Sequence, residues 1–224
     1  MRHVEIGSSG NAGSGDPGDS LPSASTETAP TKPARSPRPS VDRKSEEAAL
    51  ACLDRGKRDE ALKILMVAYG AGITAFCLRI LRDRELAKDV RQLVFLKAFE
   101  QLDRFERRGT LWSWLCGIAY HRCLDELKRP ANTRNDPLDA MEELIDPSAL
   151  SESPDRIAKQ RALERCLGKL PARARAQVLM RYFFGLSDAE IGELVGDTPG
   201  TVQKRVSRSL PLLRQCLCNE GEAR

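Results

Sequence analysis

The sequence has few of the residues that most enzymes use for catalysis. It contains only two histidines, His3 and His121, among 224 residues. No glycine-rich phosphate loop follows a strand pattern, and no pair of carboxylates lies near a candidate nucleophile. These absences argue against an enzyme, and no cofactor is predicted.

Membrane and export signals are also missing from the pattern. No apolar run approaches the roughly 18 to 20 residues that a membrane span needs. The amino terminus, MRHVEIGSSGNAG, lacks the apolar core of a signal peptide. We therefore expect a cytoplasmic protein without membrane insertion.

Cysteine spacing excludes the usual frameworks. There are seven cysteines, an odd number, and they are scattered through apolar helical stretches. The close pairs Cys216-x-Cys218 and His121-x-Cys123 have no partner pair at zinc-finger spacing. We expect reduced thiols that act as small buried hydrophobes, and no metal site.

Composition divides the chain into an arm, two helical parts and a connecting segment. Residues 1–44 are an arm of low complexity, expected to be disordered, whose first 40 positions hold 8 Ser, 6 Pro and 5 Gly. Residues 45–130 and 156–219 have helical periodicity, and residues 220–224 are a tail. Residues 131–155, with seven acidic residues and one basic, read as an acidic flexible linker. Because no useful strand alternation occurs, we predict an all-α fold with two small helical domains.

The stretch SDAEIGELVGDTPGTVQKRVSRSL, residues 187–210, breaks firmly between two helical runs. Ser187 and Glu190 have the spacing of a capping box, and Gly196 can end the first helix in the left-handed conformation. Thr198-Pro199 has the residues preferred at the cap and first position of a second helix. The pattern predicts a helix-turn-helix.

The second of these helices is basic. Residues 198–219 contain four basic residues and no acidic one, as expected of a helix that lies in a DNA major groove. Pro211 should kink or end it, giving a recognition helix of about three turns. An ordinary helical hairpin with a solvated basic face fits the same local pattern.

Two sets of motifs extend the interpretation to roughly residues 48–217. The carboxy-terminal set comprises Leu170-Pro171, Arg175, Gly185-Leu186-Ser187, Glu190-Ile191, Gly200-Thr201-Val202, Arg205 and Arg208. It resembles the promoter −35-binding domain of bacterial sigma factors of the extracytoplasmic-function class. The amino-terminal set comprises Asp89-x-x-Gln92, Val94-Phe95, Leu102-Asp103-x-Phe105, Trp114-Leu115, Ile118-Ala119 and Leu124-Asp125. It resembles the domain of the same class that binds core polymerase and melts the promoter.

The resemblance implies a sigma factor that directs core RNA polymerase to promoters for transcription initiation. The second domain is expected to read the −35 element through Thr198, Thr201, Gln203, Lys204, Arg205 and Arg208. The first is expected to read the −10 element through Phe105, Arg107, Arg108, His121 and Arg122, since an aromatic ring can receive a flipped base while arginines hold phosphates. The family more often has Asn at position 121, so base preference is not carried over.

A helical wheel predicts a protein-binding face on the helix that includes residues 89–102. Its inner side carries Val90, Val94, Phe95, Ala98 and Leu102, while Asp89, Gln92, Leu93 and Leu96 share the opposite side. Two leucines on a polar outer face suggest a partner, although they could also contact another helix of the same domain. By resemblance this face docks on the β′ clamp helices of the polymerase.

The expected partners are core RNA polymerase, through its β′ and β subunits, and promoter DNA; the resemblance also admits an anti-sigma factor. Two other classes of function stay open at this point. One is a stand-alone transcriptional regulator that uses only the helix-turn-helix, and the other is a helical adaptor that binds proteins.

Trp114, in a structural Trp-Leu pair, is expected in the core, whereas the place of Trp112 is open.

Overall fold

Helices make up all the regular structure of residues 42–129 and 154–222, the part of the chain that the computed structural model describes. They are α1 (Arg43–Asp54), α2 (Arg58–Leu81), α3 (Arg84–Gln101), α4 (Leu111–Lys128), α5 (Pro154–Gly168), α6 (Ala172–Val178), α7 (Asp188–Val195) and α8 (Pro199–Glu222). The predicted all-α fold is confirmed. The expected arm and linker lie outside the described residues, except that α1 begins at Arg43 and α5 at Pro154.

The first block, α1 to α4, is built around α2. Leu65, Ile73, Phe76 and Ile80 of α2 are fully buried because α1, α3 and α4 pack around this helix. By length and composition alone α2 could span a membrane, so the sequence-based expectation that no stretch reaches that length is wrong here. Half of its most apolar part is buried in the fold, and this packing accounts for its apolar character.

Side-chain caps and one buried carboxylate fix the ends of the helices in the first block. Asp83 accepts a hydrogen bond from the first turn of α3 at 2.9 Å, and Thr110 caps α4 by accepting from the N–H of Ser113 at 3.0 Å. Glu46 of α1 is buried and accepts from the backbone N–H of Trp112 at 3.0 Å. Burial raises the pKa of Glu46, and the bond ties α1 to the start of α4.

The second block, α5 to α8, contains the predicted helix-turn-helix. Ser187 and Glu190 form the capping box of α7, and Gly196 ends that helix with a φ of 72°. Thr198 accepts the N–H of Thr201 at 3.2 Å, and α8 starts at Pro199. A π-helical turn, Leu179–Phe183, follows α6. The local sequence signals therefore correctly predicted where α7 ends and where α8 begins.

α8 does not end at Pro211, so of the kink or end predicted there from the sequence, the end is wrong. It continues through that proline to Glu222, although proline cannot donate to the carbonyl one turn before it. The continuation is held against α5, since Leu213 is buried and Arg165 donates to Glu220. Packing thus outweighs the loss of one helical hydrogen bond.

A disulfide between Cys166 of α5 and Cys216 of α8 joins the same two helices. The expectation that all cysteines are reduced thiols is wrong for this pair, because the helices bring the two Cα atoms to 5.8 Å, within the range that a disulfide needs. Four others, Cys52, Cys77, Cys116 and Cys123, are buried as expected, whereas Cys218 is exposed.

The two blocks pack against each other through Phe184, which follows the π-helical turn. Its ring lies edge-on to Phe76 at 5.3 Å and to Trp112 at 4.8 Å between centroids, and only 8% of the residue is exposed. Beside it, Arg79 of α2 donates to Glu164 of α5 at 2.8 Å, with both side chains buried. The second block thus contacts both α2 and α4.

Gly192 provides a test of how tightly the helix-turn-helix is closed. A Cβ at this position would lie 2.6 Å from the backbone carbonyl oxygen of Asp197, so Gly192→Ala must displace the turn. We expect it to lower the free energy of unfolding by about 1 to 3 kcal/mol, measured by urea denaturation. Gly200→Ala is the control, because its Cβ would meet nothing within 4 Å, and should be neutral or slightly stabilising. Equal tolerance of both changes would contradict the close approach.

Candidate nucleic-acid and protein interfaces

The first three turns of α8 present an open polar face. Val202 and Val206 are buried on the inner side of the helix. On the other side, five of the six residues predicted to read DNA are exposed, namely Thr198, Thr201, Gln203, Lys204 and Arg208. Within the described residues, this face therefore combines hydroxyl, amide and cationic groups with no buried contact to the rest of the fold.

Arg205, the remaining residue of that predicted set, is placed differently. It is half-buried and donates to Oδ2 of Asp197 at 2.5 Å, and Gln177 of α6 donates to the same oxygen at 2.9 Å. The hydrogen bond from Arg205 is the main cause that lowers the pKa of Asp197. The three side chains brace the turn of the helix-turn-helix against α6.

The loop between α3 and α4, residues 105–110, holds three of the five predicted −10 residues, Phe105, Arg107 and Arg108. Phe105 is half-exposed and its ring lies 5.5 Å from that of Trp114. Arg107 and Arg108 are exposed, and each pairs with an acidic side chain, Arg107 with Asp54 and Arg108 with Glu106. Trp114 is half-buried, whereas Trp112 is 6% exposed, so the tryptophan expected in the core is the less buried one.

α7 lies beside this loop and beside the predicted positions on α4. Nε2 of His121 is 2.9 Å from the backbone carbonyl oxygen of Leu194. A cleft of about 250 Å³ separates the loop from α7, lined by Phe105, Arg108 and Trp114 on one side and by Glu190 and Glu193 on the other. Arg122, next to His121, is half-buried. The acidic side of α7 thus faces the basic loop.

The outer face of α3 is exposed as the helical wheel predicted. Leu93 is 38% and Leu96 56% exposed, and Asp89 and Gln92 beside them are exposed too. The five inner residues Val90, Val94, Phe95, Ala98 and Leu102 are all buried.

A shallow groove of about 400 Å³ continues this face onto α2. Gln92 and Leu96 line it together with Leu62, Met66 and Phe99. The sequence did not point to Met66, because α2 is apolar on every side and its pattern does not separate the exposed apolar residues from the buried ones.

Two family descriptions match the chain in the order of its two blocks. Sigma-70 region 2 matches residues 65–133, and Sigma-70, region 4 matches residues 160–211. The RNA polymerase sigma-H factor of Pseudomonas aeruginosa is 28% identical over 175 residues, which cover 74% of this chain and 90% of that protein. The ECF RNA polymerase sigma factor SigW of Bacillus subtilis is 27% identical over 176 residues, 73% of this chain and 91% of that protein.

The chain belongs to the extracytoplasmic-function class of bacterial RNA polymerase sigma factors. Sigma factors bind core RNA polymerase and promoter DNA and initiate transcription without being enzymes. This sigma factor also shares its fold with a solved structure, the sigma factor RpoE in complex with the anti-sigma factor NepR from Bartonella quintana. The TM-score is 0.56 at 22% identity, with 69% of this chain and 95% of that chain covered.

The brace at Asp197 predicts a pH-dependent contribution to the stability of this sigma factor. Because the pKa of Asp197 is lowered in the fold, its contribution is complete above the unfolded pKa of about 3.9 and is lost as the pH falls through the folded value. We expect Asp197→Asn to destabilise by about 1 to 2 kcal/mol near pH 7 and to differ little from the wild type at low pH. Urea denaturation across this pH range measures the effect.

The control for the brace is Glu193→Gln, a change of one exposed carboxylate on α7. It should leave the difference between neutral and low pH as in the wild type. A loss of stability in Asp197→Asn that is the same at every pH would show that charge at position 197 is not the cause.

Proposed function

We propose that this sigma factor acts in the cytoplasm and recognises a promoter at two elements while its first block docks on core polymerase. The −35 element is read in the major groove by the open face of α8, and the −10 element by the 105–110 loop with α4. The observation that carries the proposal is the exposed polar face of α8 directly after a braced turn.

The −35 part of the proposal divides the predicted residues by role. Gln203, Lys204 and Arg208 are exposed and can reach base edges, where an arginine can bind guanine through two hydrogen bonds. Thr198 and Thr201, at the amino end of α8, are suited to phosphates, because backbone N–H groups and the helix dipole favour anions there. Arg205 fixes the angle between α7 and α8 through Asp197, and therefore acts on recognition indirectly.

A matched pair of arginine variants tests the reading of bases by α8. Arg208→Ala should weaken binding to the preferred promoter by about 1 to 3 kcal/mol and relax preference at one −35 position. Arg214→Ala, which removes an equally charged and exposed side chain further along α8, should leave the preference unchanged. Competition binding of the holoenzyme to promoters with each −35 base varied measures both. Unchanged base preference in Arg208→Ala would assign that residue to phosphate or solvent.

For the −10 element, the proposal relies on Phe105 and its surroundings. Phe105 is half-exposed above Trp114, an arrangement in which an unpaired base can stack on an aromatic ring. Arg107 and Arg108 would exchange their acidic partners for phosphates. His121 and Arg122 continue the surface along α4, and His121 must first give up its bond to the Leu194 carbonyl.

The outer face of α3 is proposed as the polymerase contact. Leu93 and Leu96 offer apolar area, Asp89 and Gln92 offer polar groups, and the groove beneath them can accept side chains of the partner. Exposed leucines beside a groove are costly to leave in water and are typical of a protein interface. The β′ clamp helices are the proposed partner of this face.

Two leucines of equal exposure test the polymerase contact. Leu96→Arg should weaken binding of this sigma factor to core polymerase at least tenfold, since truncation or charge at an interface centre commonly costs more than 1 kcal/mol. Leu212→Arg is the control, because Leu212 is 57% exposed on α8 against 56% for Leu96. Titration of core polymerase with labelled sigma factor measures both. Equal affinities would move the interface away from α3.

An anti-sigma factor is part of the proposal. It is supported by the structural likeness to RpoE, which was solved in complex with the anti-sigma factor NepR. A protein that holds the two blocks together would keep α7 over the 105–110 loop.

Run-off transcription decides between this proposal and the two other classes. Purified core polymerase with this sigma factor, given templates randomised at both elements and each identified by a tag in its transcribed part, should preferentially transcribe templates that carry one −35 and one −10 sequence. A stand-alone regulator would bind DNA without binding core polymerase, and an adaptor would bind neither. Failure to bind core polymerase or to initiate on any template would overturn the proposal.

A further inference from the structure

The Cys166–Cys216 pair lies away from the proposed DNA and polymerase contacts. It joins the amino-terminal helix of the second block to the continuation of α8 beyond Pro211. With the pair joined, Thr201, Lys204 and Arg208 remain exposed. The disulfide therefore leaves the open face of α8 uncovered.

The two sulfur atoms differ in access. Cys166 is 1% exposed, whereas Cys216 is half-buried. A carboxylate oxygen of Glu220 lies within 4.8 Å of both, and Arg165 donates to that carboxylate at 3.0 Å. Cys216 is the less buried of the two residues, and charged groups lie beside both sulfur atoms, so an oxidant that reaches Cys216 meets a thiol with Cys166 in place to resolve it.

Four of the other described cysteines, Cys52 and Cys77 among them, are buried. Cys116 and Cys123 are buried in the first block, and burial raises the pKa of both thiols well above the usual range, so they are poor nucleophiles. Cys218 is exposed, two residues beyond Cys216 on α8, but the buried Cys166 is paired with Cys216 and not with Cys218. Selective oxidation is therefore expected at Cys166 and Cys216.

We propose that Cys166 and Cys216 are a reversible oxidation site, at which a hydroperoxide joins the thiols, a dithiol separates them, and the joined form makes the second block more resistant to unfolding. With hydrogen peroxide as the oxidant, the Cys216 thiolate attacks one peroxide oxygen and the O–O bond breaks, so that a sulfenic acid forms and the leaving hydroxide takes up the proton released by the thiol and departs as water. The Cys166 thiolate then attacks that sulfur, so that the S–S bond forms and a second water leaves. Two thiols are oxidised and one peroxide is reduced.

The stabilisation follows from where the bond lies in the chain. The two cysteines are 50 residues apart, and they enclose α6, the π-helical turn, α7 and most of α8. Closing a loop of that length restricts the unfolded chain, which favours the folded block. The bond also holds the part of α8 after Pro211, where the helix lacks one hydrogen bond.

The experiment uses the full chain and no DNA, so its result is independent of the proposed promoter reading. The protein is reduced with dithiothreitol, treated with hydrogen peroxide, and digested without reductant for mass spectrometry. We expect one cross-linked peptide pair containing Cys166 and Cys216, removed again by dithiothreitol. Thermal unfolding should show a melting temperature higher by about 5 °C or more in the oxidised form.

Two variants complete the test. Cys216→Ser should abolish the cross-link and the difference in melting temperature, whereas Cys218→Ser should keep both. If peroxide leaves Cys166 and Cys216 open to alkylation, or if both forms melt at the same temperature, the proposal is overturned. Binding of Zn²⁺ by the reduced pair that blocks peroxide oxidation would also overturn it, in favour of a metal site with Glu220.

Discussion

The insertion of Phe184 between Phe76 and Trp112 is the contact on which the arrangement of this sigma factor depends. These rings belong to α2 and α4, the two helices that carry most of the core of the first block. A buried aromatic side chain contributes a few kcal/mol, and edge-on ring pairs add to that. With Phe184 in this position, α7 lies over the 105–110 loop, and the other contacts between the two blocks form around this ring cluster.

In the second block, internal contacts hold the turn before α8, while the face of α8 that is proposed to bind DNA stays exposed. The turn before α8 is closed by a glycine that lets the Asp197 backbone approach, and by Arg205 and Gln177, which bind the Asp197 carboxylate. To read a base, the Arg205 guanidinium would have to leave the Asp197 carboxylate that it binds in this structure. On the exposed face Thr198 and Thr201 contact each other through their hydroxyl groups at 2.8 Å, and the backbone of α8 positions the side chains that follow them.

The sequence predicted what local chemistry determines. The capping box at Ser187, the left-handed Gly196 and the Thr198 cap are each set by residues within one turn, and all three are confirmed. The buried and exposed sides of α3 followed from periodicity for the same reason. The family was also predictable, because two motif sets occur in order along one chain.

What the sequence missed was decided by residues far apart along the chain. Pro211 predicts a helix end, but packing of α8 on α5 overrides it. The role of Arg205 depends on Asp197 and Gln177, and the latter lies on α6. The pairing of Cys166 with Cys216 and the burial of Phe184 likewise need the helices to be placed first, so neither spacing nor composition indicated them.

Under the proposed function, the reading of two promoter elements and the packing of the two blocks seen in the structure exclude each other. By their names the two elements lie 25 base pairs apart, about 85 Å of duplex at 3.4 Å per base pair. In the structure Nε2 of His121 on the first block is 2.9 Å from a carbonyl oxygen of the second. The 24 residues between Arg129 and Pro154 can span at most about 86 Å, enough to let the blocks separate once their own dimensions are added. The contacts around Phe184 therefore compete with the promoter, and every partner that favours the packed arrangement lowers the apparent affinity for DNA.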